Sequence, residues 1–213
     1  MNSGINAAWI LTYLAHDHHW LNAIREEVEA AANKYNPNTE ISLKEKLDNL
    51  SAEAWESEFP LLDLCLRESI RVNGTGTAFR KNVSGLDIPI GNTKEVIPPG
   101  AYATYSFFDV HMNPTIYTNP TKWDPSRYFP ERAEDKQRPH AFIGWGVGRH
   151  PCLGMRFAKL EQFMITAYFL ANFDFELCDR LGKPVSGVPA SDANAHSALK
   201  PKERPFIKYK KRV

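Results

Sequence analysis

Apolar positions in this chain recur at two spacings, and the change from one to the other divides it. The run WLNAIREEVEAAANKY, Trp20 to Tyr35, places Leu21, Ile24, Val28 and Ala31 on one face with charges opposite. That spacing predicts an amphipathic helix ending at Asn36-Pro37. Phe59-Pro60 opens a second helix, LLDLCLRESIRV, because proline needs no amide partner in a first turn; it stops near Asn73-Gly74. A third follows Cys152, where Phe157, Leu160, Met164, Ala167 and Tyr168 approximate one buried helical face. Ile5 to Ala15 also reads as a helix, but Ile5, Ala8, Trp9, Leu11 and Leu14 leave it apolar on more than one side. Such a helix is expected to be buried in something larger than the chain itself. With only Met1 to Gly4 ahead of it, the expected organisation is a single partial domain, residues 1–213, that begins abruptly.

Between the second and third helices the period shortens to two. Leu86, Ile88 and Ile90 alternate, Gly91-Asn92 and Pro98-Pro99-Gly100 mark turns, and Tyr102, Thr104 and Ser106 alternate again, which predicts short antiparallel strands. A short helix is expected from Phe107 to Met112, then a proline-rich coil, NPTKWDPSRYFPER. Phe173, Phe175 and Leu177 read as a strand, Pro205 to Tyr209 as a last strand, and the terminal KYKKR as a solvated end. The polar stretch NPNTEISLKEKLDNLS is expected at the surface, with room for a short helix. The fold class is mainly α with small antiparallel β-sheets, α+β.

Composition narrows the partners. Lysine and arginine number 26 against 25 acidic residues, a net charge of +1, which gives no reason to expect nucleic acid or a strongly anionic partner. Cys65, Cys152 and Cys178 do not form a disulfide framework, and no signal peptide opens the chain, so a reducing compartment is expected, with this chain soluble or cytoplasmic. The runs AAWILTYLA and FMITAYFLANF are about half the roughly 20 residues that span a bilayer, so any membrane anchor is expected outside this chain. His16, His18 and His19 flank Asp17, but successive residues on one turn do not converge on an ion; a solvent-facing turn is expected.

Candidate chemistry centres on FIGWGVGRHPCLG, Phe142 to Gly154. Gly144, Gly146 and Gly148 permit backbone angles closed to other residues and let a flat group lie against the main chain. Cys152 stands just ahead of a helix N-terminus, where an anion such as a thiolate is favoured. A thiolate there could be a nucleophile, a metal ligand or a haem ligand. Glu68 and Arg71, three apart on one helical face, are by themselves an ordinary surface pair.

At these residues the sequence resembles the cytochrome P450 monooxygenases. The family's haem loop has an aromatic seven residues before the cysteine, a glycine four before and a glycine two after, matched here by Trp145, Gly148 and Gly154. Trp145 stands where phenylalanine is usual and His150 where arginine is commonest, while Arg149 keeps a cation in the loop. Glu68 and Arg71 match the family's E-x-x-R, and Pro125, Ser126 and Arg127 its P-x-R, in the family's order.

The resemblance implies the C-terminal portion of the P450 fold, from the distal helix to the end, and haem b (heme, iron protoporphyrin IX) with Cys152 as ligand to the iron. It implies that Gly146, Gly148, Gly154 and Trp145 shape the haem loop and that amides after the cysteine bond to its sulfur. Arg149, His150 and Arg80 become candidates for the haem propionates, and Glu68, Arg71 and Arg127 a buried structural network. It implies an apolar small-molecule substrate, electrons from an NADPH-cytochrome P450 reductase, and, for a full-length relative, the cytoplasmic face of the endoplasmic reticulum membrane. The family's proton-relaying acid and threonine would align with about Met1 to Ser3, where only Asn2 and Ser3 stand, so no residue is assigned a catalytic role. The alternative is a truncated, non-catalytic fragment. A zinc or cysteine-nucleophile enzyme is more distant, since His150 and Cys152 lack partners.

Overall fold

Helix α1 (Ser3–His16) lies at the centre of the core in the computed structural model, which describes residues 3–192, 194 and 199–212. Ile10 and Leu14 are fully buried and Trp9 nearly so. The helix packs against α2 (His18–Tyr35), α5 (Pro60–Asn73), α7 (Met155–Asn172) and strand β5 (Phe173–Cys178). Its burial inside this chain corrects the expectation that it needs something larger. A helix apolar on several sides needs several neighbours, and here elements distant in sequence supply them. The Trp9 indole N–H, for instance, donates to the Leu199 carbonyl at 2.7 Å.

Asp17 ends α1 and starts α2, its carboxylate accepting the His19 and Trp20 amides. His16, His18 and His19 are exposed around it. Trp20, Leu21, Ile24 and Val28 are the buried face of α2. The polar stretch is mostly exposed and forms the short helix α3 (Leu43–Asp48), with Leu47 and Leu50 turned into the core; α4 (Ala52–Ser57) follows and adds Trp55. Helices of six residues are too short to show a period, but Ser42 with Glu45 makes a capping box and Ser51 caps α4.

The strands pair as three antiparallel two-stranded sheets among the described residues: β1 (Thr77–Lys81) with β4 (Tyr102–Ser106), β2 (Ile88–Pro89) with β3 (Val96–Ile97), and β5 with β6 (Phe206–Lys211). Phe175 stands opposite Tyr209. The terminal KYKKR is therefore not a free end: Lys208 to Lys211 pair through their backbones with β5, their side chains outward, and the Arg212 guanidinium donates to the Leu170 carbonyl at 3.0 Å. Helix α6 (Phe107–His111) leads toward the proline-rich coil, which holds a 3-10 turn at Pro125–Tyr128, and a second 3-10 turn follows the coil at Glu134–Lys136. No helix among the described residues is long and apolar enough to cross a membrane.

Candidate active site

Helix α5 presents Glu68 and Arg71 to the interior, one turn apart. Arg71 donates from Nε to Glu68 Oε2 at 2.8 Å and from Nη2 to Oε1 at 2.7 Å. Arg127, carried in by the 3-10 turn, donates from Nε to Oε1 at 2.9 Å. All three side chains are fully buried. The Asp124 amide and the Tyr128 hydroxyl complete the carboxylate's partners, each at 3.0 Å, and Glu134 accepts from the far side of Arg127 at 2.6 Å. Burial works against the charge on Arg71, but the Glu68 carboxylate outweighs it and holds the guanidinium above its usual value. Burial, then Glu68, pushes the Tyr128 phenol well up, which keeps it a donor.

One residue joins this network to the cysteine loop. Arg71 Nη1 donates to the His111 carbonyl at 2.7 Å, and His111 Nε2 accepts the Ile143 amide at 3.1 Å. The imidazole is fully buried and stacks on Phe142, ring centres 5.3 Å apart. Burial, followed by Arg71 and Arg67, pushes His111 down to about 3, so the ring is neutral at ordinary pH and its Nε2 lone pair is free to accept. Ile70 on α5 lies directly against Gly144, where an added Cβ would overlap its Cγ2.

The loop turns on two left-handed glycines, Gly146 at φ 76° and Gly148 at φ 86°. The Cys152 amide donates to the Trp145 carbonyl at 2.6 Å and closes the turn. Cys152 is exposed two residues ahead of Gly154, the N-cap of α7, which supplies no side-chain cap to the helix. With Gly144, Trp145, Phe107, Phe157 and Asn6, the cysteine lines a cleft of about 710 Å³.

The expected residues are only partly gathered here. Cys152, Trp145 and Gly154 line the cleft, with Gly146 and Gly148 in the turn behind. Arg149, His150 and Arg80 are exposed and do not line it; the Arg80 guanidinium donates to the Phe79 carbonyl at 2.8 Å. The expected amide bonds to the cysteine sulfur are not made among the described residues; the Met155 amide bonds to the Cys152 carbonyl instead, at 3.3 Å. Ser3 lines the cleft, while Met1 and Asn2 lie outside the described residues. No group of three or more His, Cys, Asp or Glu side chains among the described residues is gathered as around a metal ion. Sequence reasoning missed His111, Tyr128 and Glu134. Only Tyr128, next to Arg127, and Glu134, seven residues on, had any signal, as polar residues within or beside the P-x-R coil.

The family description "Cytochrome P450" matches residues 5–190. The monooxygenase AacuE of Aspergillus aculeatus is 40% identical over 183 residues, 86% of this chain and 36% of the relative. The monooxygenase nsrP of Aspergillus novofumigatus is 37% identical over 195 residues, 91% of this chain and 38% of the relative. Human cytochrome P450 4F8 is 30% identical over 166 residues, covering 78% and 29%. The chain thus spans little more than a third of the length of the fungal relatives it matches. A solved structure, retinoic acid-bound cyanobacterial CYP120A1, shares the fold with a TM-score of 0.73 at 24% identity, over 99% of this chain and 43% of that one. From the order of its motifs, its fold and these relatives, the chain belongs to the cytochrome P450 family.

Proposed function

We propose that this chain is the haem-holding C-terminal portion of a monooxygenase that inserts one oxygen atom of dioxygen into an apolar small molecule. The observation that carries the reading is Cys152, exposed on the wall of the cleft while the loop bearing it is fixed from behind by His111 and Ile70.

The residues fit haem b. The cleft offers one sulfur donor, aromatic walls in Trp145, Phe107 and Phe157, and open space at Gly154, where an added Cβ would meet nothing within 4 Å. Phe157 is 71% exposed, apolar area that a flat macrocycle would cover. When bound, the haem supplies the iron chemistry that activates dioxygen, and a thiolate ligand pushes electron density toward that step. Cys152 Sγ is the atom that would hold the iron. Arg149, His150 and Arg80 are the candidate cations for the propionates, and from their exposed positions they would have to turn inward.

Glu68, Arg71 and Arg127 act through position: they keep the coil and α5 together so that His111 meets Ile143 and the loop keeps its shape. The reductase that passes electrons from NADPH is expected to dock beside the Cys152 loop. A full-length protein would work at the cytoplasmic face of the endoplasmic reticulum membrane, held there by parts outside this chain.

A second reading, a fragment that holds haem weakly and turns nothing over, is favoured by the full exposure of Leu153 next to Cys152. Haem titration separates the two. Retention of one haem per chain through gel filtration, lost in Cys152→Ala, supports the first reading. Retention that ignores Cys152 contradicts the ligand assignment, and no retention favours the second.

A further inference from the structure

Helix α5 begins without a cap of its own: Phe59 offers no side-chain acceptor and Pro60 fills its first turn. The cap comes from another helix. The Glu27 carboxylate of α2 accepts the Leu61 amide at 2.6 Å with one oxygen and the Leu62 amide at 3.0 Å with the other. An anion at a helix N-terminus satisfies unpaired amides and meets the positive end of the dipole.

The surroundings of this carboxylate oppose its charge. Asp63, on the same first turn of α5, repels it, although Lys159 from α7 lies 2.7 Å from Asp63 and offsets part of that charge. Cys65, one turn along α5, is a fully buried thiol kept un-ionised by burial and then by Glu27. Burial pushes the Glu27 carboxyl up, the two amides pull it down, Asp63 pushes it up again, and the outcome is about 7.

We propose that Glu27 is a proton-sensitive latch: ionised, it clamps the N-terminus of α5 to α2, and on taking up a proton it gives up part of that grip, so that α5 and the cysteine loop it supports respond. The path is short. Three residues beyond Cys65 on α5 stands Glu68, then Ile70 against Gly144, then Arg71 with its bond to His111.

The sign of the linkage follows from the folded value lying above the ordinary 4.5. The folded chain holds this proton more tightly than the unfolded chain, so the contribution of Glu27 to stability is full below 4.5 and lost as pH rises through about 7. Grip and stability run in opposite directions: the ionised latch orders the start of α5 while burying a charge. The inference does not depend on what the cleft holds.

Nuclear magnetic resonance titration of the full chain tests it. The Glu27 carboxyl carbon and the Leu61, Leu62 and Gly144 amides are expected to shift together with one midpoint of about 7, and the amide shifts to vanish in Glu27→Gln. A Glu27 midpoint near 4.5 overturns the latch, and a Gly144 amide that stays still while Leu61 moves overturns its reach to the loop. Should Glu27→Gln fail to fold, the wild-type carboxyl and amide midpoints decide.

Discussion

Glu68 and Arg127 stand 59 residues apart in the chain and 2.9 Å apart in the fold, both fully buried. Their meeting fixes the proline-rich coil to α5. Breaking a buried ion pair from one side costs about 3–5 kcal/mol, because the survivors are left unpaired in low dielectric. Glu68→Ala leaves both Arg71 and Arg127 without their shared carboxylate. It is expected to lower stability by about that amount in urea denaturation and to abolish haem retention. A haem-replete Glu68→Ala protein would refute the network's role.

Arg127→Lys separates charge from shape. Lysine keeps the cation but lacks the fork with which Arg127 reaches Glu68, Glu134 and the Lys122 and Thr118 carbonyls together. We expect a loss of about 1–3 kcal/mol from carbonyls left unpaired. Wild-type stability in this variant means that charge alone suffices.

His111 sets an acid limit. Its folded value of about 3 lies below the ordinary 6.5, so its contribution to stability is present above 6.5 and lost as pH falls toward 3. The slope is to be read as the difference between wild type and His111→Phe, which removes the opposing contribution of Glu27 from the comparison. A difference that does not change between pH 6.5 and 4 shows that the imidazole is not held neutral.

Gly144 and Gly154 are glycines for different reasons. At Gly144 a Cβ would overlap Ile70 and come within 2.7 Å of Phe142 Cζ, so Gly144→Ala is expected to cost about 1–3 kcal/mol in thermal or urea unfolding. At Gly154 it would meet nothing, and Gly154→Ala should leave the haem-free chain unchanged within about 0.5 kcal/mol. If haem lies over Gly154, the same variant retains it several-fold less well. Equal haem retention by Gly154→Ala and wild type places the macrocycle elsewhere.

Much of this was legible in the sequence, for physical reasons that also mark where reading stops. Helix α2 announces itself through its one buried face and α5 through Pro60 and Gly74, whereas α7 shows its type but not its face. Of the expected Phe157, Leu160, Met164, Ala167 and Tyr168 only Ala167 is buried, Phe157 is exposed, and Phe163, Thr166 and Leu170 face the core instead. Helix α1 shows its type but not its neighbours, since an apolar surface does not say which distant element covers it. The last strand was legible from Pro205 to Tyr209, but the basic run hid that β6 continues to Lys211, because lysine side chains turned to solvent do not alter its backbone pairing. In the site, Cys152, Glu68, Arg71 and Arg127 could be read from motif order. His111 could not: its work is done by a backbone carbonyl and one ring nitrogen, whose partners lie 40 and 32 residues away. Charge on Arg149, His150 and Arg80 pointed to a site they do not line.

The central claim is that Cys152 is the ligand to a haem held in the cleft. The carbon-monoxide difference spectrum of the reduced, haem-supplied chain tests it most directly, with Cys152→Ala alongside. The expected result is the long-wavelength Soret band of a thiolate-bound haem, absent from the variant. A band at the shorter wavelength of a nitrogen-ligated haem, or a spectrum identical in wild type and Cys152→Ala, would contradict the assignment.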